Sequence, residues 1–276
     1  MTAEVTTYRY IRFALLAVLV GLGVAVVIQT VRGGFETSIS AYYYTAAGPV
    51  FIGVLTSLGA CLVALRGFTD AEETALNVAG VSAPMVAFVP TPKEGVAPDL
   101  AGITVAVSAY LAVLGIGYVV VVAVGVRKRL QGEPWPSLWG LIGLAGVAGA
   151  WVLGVVWLAL DRHSFATHAH ALAATFTFLP VAFAVLLNTD WGVRVIAREA
   201  HASRTRFDRI YWLLLIIMIA IIVVGGALGI LGWDYWLLAV EIAMLTCFFV
   251  YWTAQSWDLM DPERDRLTTH ALKLGA

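Results

Sequence analysis

Residues Ile210–Gly232 read IYWLLLIIMIAIIVVGGALGILG, 23 residues without a single charge. Wound as a helix at 1.5 Å per residue, the stretch is roughly 35 Å long, enough to cross a hydrocarbon core of about 30 Å. Directly before it, Asp190–Arg209 (DWGVRVIAREAHASRTRFDR) carries Arg194, Arg198, Arg204, Arg206 and Arg209. Short loops rich in Lys and Arg stay in the cytoplasm. The two segments together predict a membrane span that starts on the inner side.

Seven further apolar stretches flank this one. They run from Tyr10 to Val31, Gly48 to Leu65, Ala75 to Pro90, Ala101 to Val126, Leu138 to Leu160, His168 to Thr189 and Tyr235 to Ser256. With eight spans, every second gap faces the same side as the five-arginine loop. Those gaps hold fourteen of the 17 basic residues, and the opposite side holds only Arg32, Lys93 and Arg162. The positive-inside rule then places both termini in the cytoplasm. The charged share, 13%, is about half that of soluble domains, and 61% of residues are hydrophobic. No ten-residue dyad alternation points to a barrel. The expectation is an all-α, polytopic transmembrane helical bundle of about eight spans, forming one integral-membrane domain over residues 1–276.

The third span is the irregular one, carrying Asn77, Ser82 and Pro84. Proline removes a helical hydrogen bond and kinks a span. A re-entrant third segment would put Arg127–Arg129 outside, against the charge pattern. Gly146, Ala150 and Gly154 recur at four-residue spacing, as do Gly225 and Gly229. Small-xxx-small stripes let helices approach closely in lipid, so the Gly146 stripe is expected to be a packed face. Tyr42–Tyr44, Trp135, Trp139, Tyr211, Trp212, Trp233, Trp236 and Trp257 fall near span ends, as in an interfacial aromatic belt. Cys61 and Cys247 both lie within spans and read as packed thiols. The apolar run after Arg9 and Arg12 is too long for a signal-peptide core and reads as a retained anchor. No nucleic-acid motif accompanies the basic loop, which is suited instead to anionic lipid headgroups. Phosphate-loop, H-E-x-x-H and G-x-S-x-G patterns are absent.

Polar residues that could do chemistry gather on the outer side. The first outer loop contains Ser38, Ser40, Tyr42 and Tyr44, and a later one holds His163, His168 and His170. Three histidines and a water can make a catalytic zinc site. Two positions apart, however, His168 and His170 lie about 200° apart on a helix and converge only if His168 belongs to a loop. Glu241 lies seven residues inside the last span. A carboxylate at that depth costs about 3 kcal/mol and normally faces protein or a wet cavity. Thr175 and Thr177 on the sixth span are candidate partners for it.

Several of these residues also carry a family likeness. The run Ser38-Ile-Ser-Ala-Tyr-Tyr-Tyr-Thr45 with Pro49 and Phe51 resembles uncharacterised bacterial multi-pass membrane proteins similar to the Frag1/DRAM/Sfk1-like group. So do Asn77, Gly80, Phe88-Val-Pro-Thr91, His168 with Ala173-Ala174, and the closing helix with Glu241 and Gln255. The resemblance implies an integral membrane protein without an established catalytic mechanism. It also implies a connection with membrane lipid organisation, as in eukaryotic members. The chain departs from that group in having eight proposed spans where six are usual, and no catalytic residue carries over.

The expected function is therefore non-enzymatic. The chain is read as a multi-pass protein of a bacterial cytoplasmic membrane that binds lipid, a membrane-protein partner or a second copy of itself. It would do so through an outward-opening polar pocket bordered by Ser38, Ser40, Tyr42, Tyr44, Thr175 and Glu241. No cofactor and no nucleic acid are expected. The alternatives are a zinc-dependent membrane hydrolase using His163, His168 and His170, and a small proton-coupled transporter using Glu241.

Overall fold

A computed structural model describes residues 3–196 and 207–258. The helices are α1 (Ala3–Gly33), α2 (Gly48–Ala64), α3 (Asp70–Phe88), α4 (Leu100–Leu130), α5 (Leu138–Leu160), α6 (Arg162–Leu187), α7 (Asp208–Ile230) and α8 (Trp236–Asp258). A 3₁₀ turn, Ser40–Tyr44, precedes α2, and a π-helical turn, Gly192–Ile196, follows α6. There is no strand among the described residues. Helices α1 and α4–α8 are long and apolar enough to cross a membrane. Among the described residues the protein is thus all-helical with six candidate membrane-spanning helices, and α2 and α3 make up the difference from the eight spans expected. Helix α2 is apolar but has only 17 residues. Helix α3 opens with Asp70, Glu72 and Glu73 in its first turn.

Helix α3 is the centre of the bundle, packed by α2, α4, α5 and α6. It starts five residues before the apolar run does, because Thr69 caps it: the Glu72 amide donates to Thr69 Oγ1 at 3.1 Å. Its buried face repeats alanine every fourth position, at Ala71, Ala75, Ala79, Ala83 and Ala87. Small side chains there bring neighbouring backbones close. At the α2–α3 crossing, a Cβ built on Gly59 would lie 2.6 Å from the Gly80 carbonyl oxygen and 2.8 Å from Pro84 Cδ. Gly59 therefore makes the room that the Pro84 ring occupies. Pro84 leaves the Gly80 carbonyl without its amide donor, and the adjacent Val81 carbonyl accepts from the Tyr110 hydroxyl at 2.5 Å.

Two expectations about packing and loops are corrected. In the fifth-span stripe, Gly146 and Ala150 are exposed, a Cβ on Gly146 would meet nothing within 4 Å, and only Gly154 is buried, against Leu111. The packed face of α5 instead carries Gly143 against Thr74, Trp151 and Leu158. Four-residue spacing defines a stripe without saying which side of the helix it faces. The Gly225–Gly229 stripe does pack, against Val240 and Trp236 of α8. The second correction is the supposed outer loop from Asp161 to Thr167. Only Asp161 separates α5 from α6, and its carboxylate accepts from the Ser164 amide at 2.9 Å. That cap winds Arg162–Thr167 into α6.

Inter-helix bonds show how the ends align. At one end, Tyr8 of α1 bonds the Arg66 carbonyl after α2, Arg12 bonds Gln255 of α8, and Glu72 of α3 bonds Asn188 after α6. At the other end, Lys93 pairs with Glu36, Tyr44 bonds the Thr91 carbonyl, and the Leu238 amide bonds the Thr37 carbonyl. These are called the Arg12 end and the Tyr44 end below.

Candidate functional site

The Tyr44 end is built around the segment 34–47, which lies across the bundle and is pinned at several points. Tyr42, fully buried, bonds Thr30 through its hydroxyl. Tyr44 donates to the Thr91 carbonyl at 3.0 Å and stacks edge-on against Tyr43. Burial, reinforced by Tyr43, holds the Tyr44 phenol above its ordinary range. Lys93 Nζ bonds Glu36 at 2.8 Å and lies 5.9 Å from the Tyr44 ring centroid. Ser38 and Ser40 are buried, 3.0 Å apart through their hydroxyls, and Ser38 also accepts from the Ala41 amide.

Glu241 fastens this segment from below. Its Oε2 accepts from the Ile39 amide at 2.5 Å, and the Ser40 amide and hydroxyl also donate to the carboxylate. A carboxylate placed at the start of a helical turn satisfies amides that have no partner within the turn. Glu241 faces protein, and it borders a cavity of about 50 Å³. The walls of that cavity are Leu22 of α1, Phe51, Leu55, Leu58 and Leu62 of α2, Val86 of α3, Ala174, Phe178 and Val181 of α6, and Leu245 and Phe248 of α8. Ser40, Thr177 and Glu241 supply the polar groups, and Ile39 and Ser40 close the cavity at the Tyr44 end.

Not every residue singled out from the sequence reaches this place. Ser40 and Glu241 line the cavity, whereas Ser38, Tyr42 and Tyr44 hold the covering segment in position. Thr175 is exposed and bonds only its own helix, at the Ala171 carbonyl. Its neighbour Thr177 lines the cavity, with its hydroxyl on the Ala173 carbonyl. His163 and His168 are exposed, and His168 Nδ1 lies 3.0 Å from the Ser164 carbonyl. His170 is buried and donates from Nδ1 to the Val89 carbonyl at 2.6 Å. With His168 and His170 both helical, their rings point to different sides, as the 200° separation requires. Among the described residues, no three His, Cys, Asp or Glu side chains group as a metal site would.

The Arg12 end holds a buried polar network that the sequence reading did not find. Glu72, 1% exposed, receives four hydrogen bonds. Asn188 Nδ2 (2.8 Å), Tyr251 OH (3.0 Å) and Gln255 Nε2 (2.6 Å) donate to Oε1, and the Phe68 amide (2.7 Å) donates to Oε2. Gln255 turns its other face to Arg12, whose Nη1 donates to Oε1 at 3.0 Å, while Nη2 donates to Tyr8 OH at 2.7 Å. The guanidinium lies between the Tyr8 and Trp252 rings, 4.8 and 4.7 Å from their centroids. One amide side chain thus bridges a buried cation and a buried carboxylate across α1, α3 and α8. Thr69-Asp-Ala-Glu72 is a capping-box pattern and was the available sequence signal. Here, though, Glu72 reaches the Phe68 amide and three side chains beyond its own turn.

No protein-family model, curated protein or solved structure matches the chain.

Proposed function

We propose that this chain is a non-enzymatic, lipid-binding protein of a bacterial cytoplasmic membrane, with the Arg12 end cytoplasmic and all eight helices crossing or nearly crossing the bilayer. Its place beside the Frag1/DRAM/Sfk1-like group belongs to the same proposal. The observation that carries the lipid reading is the cavity. Its walls are apolar, and its hydrogen-bonding groups gather mainly at one end, at Ser40 and Glu241. Apolar sites with a few placed polar groups suit amphiphiles. At about 50 Å³ it is near a third of the ~150 Å³ apolar cavity that admits benzene, so a lipid chain must displace Phe178 or Phe248 to fill it. Glu241 is engaged by Ile39 and Ser40, which supports a fastening role more than proton exchange.

Mass spectrometry of protein gently released from detergent should detect co-purified lipid on the wild type. Leu58→Trp, which fills the cavity at mid-length, should lose it while remaining monodisperse. Equal lipid on both proteins, or none on the wild type, would rule out the cavity as the binding site. Topology is tested separately, with Cys61 and Cys247 replaced by serine. Cysteines at positions 93 and 163 should react with an impermeant maleimide from outside the cell, and one at 128 only after lysis. Labelling of all three from the same side would sink the alternating arrangement.

A further inference from the structure

We infer that the cavity takes one alkyl chain sideways from the bilayer, through a portal between α6 and α8, and not from the outer aqueous face. The inference rests on the lipid-binding reading and adds the shape of the ligand and its route.

Exposure of the lining residues sets the route. Every lining residue on α1, α2, α3 and the 34–47 segment is buried. The half-buried ones are Ala174 and Phe178 on α6 and Glu241 and Leu245 on α8. These two helices touch each other only sparsely, although both wall the cavity. The lining is therefore least buried on the α6 and α8 sides, where Phe178 and Leu245 stand, and α7, which packs on both helices, supplies none of it. Toward the Tyr44 end the cavity is shut by Ile39 and Ser40, which Glu241 holds, and the segment carrying them is fixed by the Lys93–Glu36 pair and the Tyr44–Thr91 bond.

The dimensions set the ligand. Lining residues on α2 run from Phe51 to Leu62. Eleven residues of helix span roughly 16 Å. A volume of about 50 Å³ drawn out along that length is narrow, and with Phe178 or Phe248 displaced it admits one chain and not two. Glu241 and Ser40 sit where the polar end of such a chain would arrive. The chain can belong to a single-chain amphiphile or be one tail of a phospholipid.

Photolabelling of the full chain in phosphatidylcholine liposomes tests both source and route. One arm uses a diazirine-bearing fatty acid, the other phosphatidylcholine with a diazirine in one tail, with adducts mapped by peptide mass spectrometry. Adducts at Leu58 or Val181 report the cavity, and adducts at the exposed Val120 and Ile216 report ordinary lipid contact. Labelling from the fatty acid alone assigns a single-chain amphiphile, and labelling from both admits a phospholipid tail. In the labelled arm, Leu245→Ala should raise cavity labelling and Ala174→Trp should abolish it, while Lys93→Ala leaves it unchanged. Labelling at Val120 and Ile216 should persist in all three. Cavity adducts that respond to Lys93→Ala and ignore both portal variants would overturn the lateral route but leave lipid binding standing. Absence of cavity adducts from both probes, with Val120 and Ile216 labelled, would overturn the route and the lipid reading together.

Discussion

Glu72→Ala should leave little folded protein, with a loss of about 3–5 kcal/mol, because it removes one partner from a buried charged network. The substitution strips the acceptor from Asn188, Tyr251, Gln255 and the Phe68 amide at once. Each buried donor left unpaired costs about 1–3 kcal/mol, though the costs overlap because the side chains can partly repack. Arg12 then remains 4% exposed beside a glutamine that has lost its other anchor. Glu72→Gln keeps the shape but turns an amide NH₂ toward groups that themselves donate, so it should fall between alanine and wild type. The yield of monodisperse protein and the thermal midpoint in detergent measure both. A midpoint for Glu72→Ala within a few degrees of wild type would mean that the network is dispensable.

Arg12 illustrates why this network was hidden in the sequence. Arg12 is one of the basic residues whose distribution orients the chain, and that role accounts for it without any tertiary partner. Glu72 sits in an acidic first turn after a threonine cap, which a favourable helix start explains equally well. Tyr251 and Asn188 lie near span ends, where polar residues are ordinary. Nothing in the spacing of positions 12, 72, 188, 251 and 255 announces that four helices bring them together. That convergence is a property of topology.

Much else was legible, because membrane spans are written in length and polarity. The fifth span matches α5 residue for residue, and the second and seventh end within two residues of α2 and α7. The sixth failed at its start, since the charged and histidine-rich stretch before His168 looked like a loop. Asp161 capping α6 overrode that polarity. At the Tyr44 end, Glu241 was expected to face protein or water, and its carboxylate bonds the Ile39 amide. Its partners were misjudged: they are the Ile39 and Ser40 amides and the Ser40 hydroxyl, and not threonines on α6. Backbone amides of a loop 200 residues away leave no trace in composition or periodicity.

Gly80→Leu and Gly59→Leu should each cost roughly 3 kcal/mol or more, at the upper end of overpacking effects, because the obstruction is backbone and not a movable side chain. Without hydrophobic expulsion between helices in lipid, close van der Waals packing and interhelical hydrogen bonds hold the bundle together. The α2–α3 crossing is among its tightest places: a Cβ on Gly80 would stand 2.8 Å from the Gly59 carbonyl oxygen and 2.8 Å from Val63 Cγ2. To admit leucine, α2 must swing away from α3, and α3 is the helix that α4, α5 and α6 also grip. The same swing would open the cavity, whose wall includes Leu55, Leu58 and Leu62 of α2. Gly146→Leu is the matched control, since the added side chain meets nothing within 4 Å and projects from an exposed position. Size-exclusion profiles and thermal midpoints of the three variants should therefore separate cleanly, with Gly146→Leu at wild type. If Gly146→Leu fails as badly as Gly80→Leu, the exposed face of α5 is a packed surface after all, and a second copy of the chain becomes the natural candidate to cover it. If Gly80→Leu behaves as wild type, α2 does not cross α3 in backbone contact and the central position assigned to α3 is wrong.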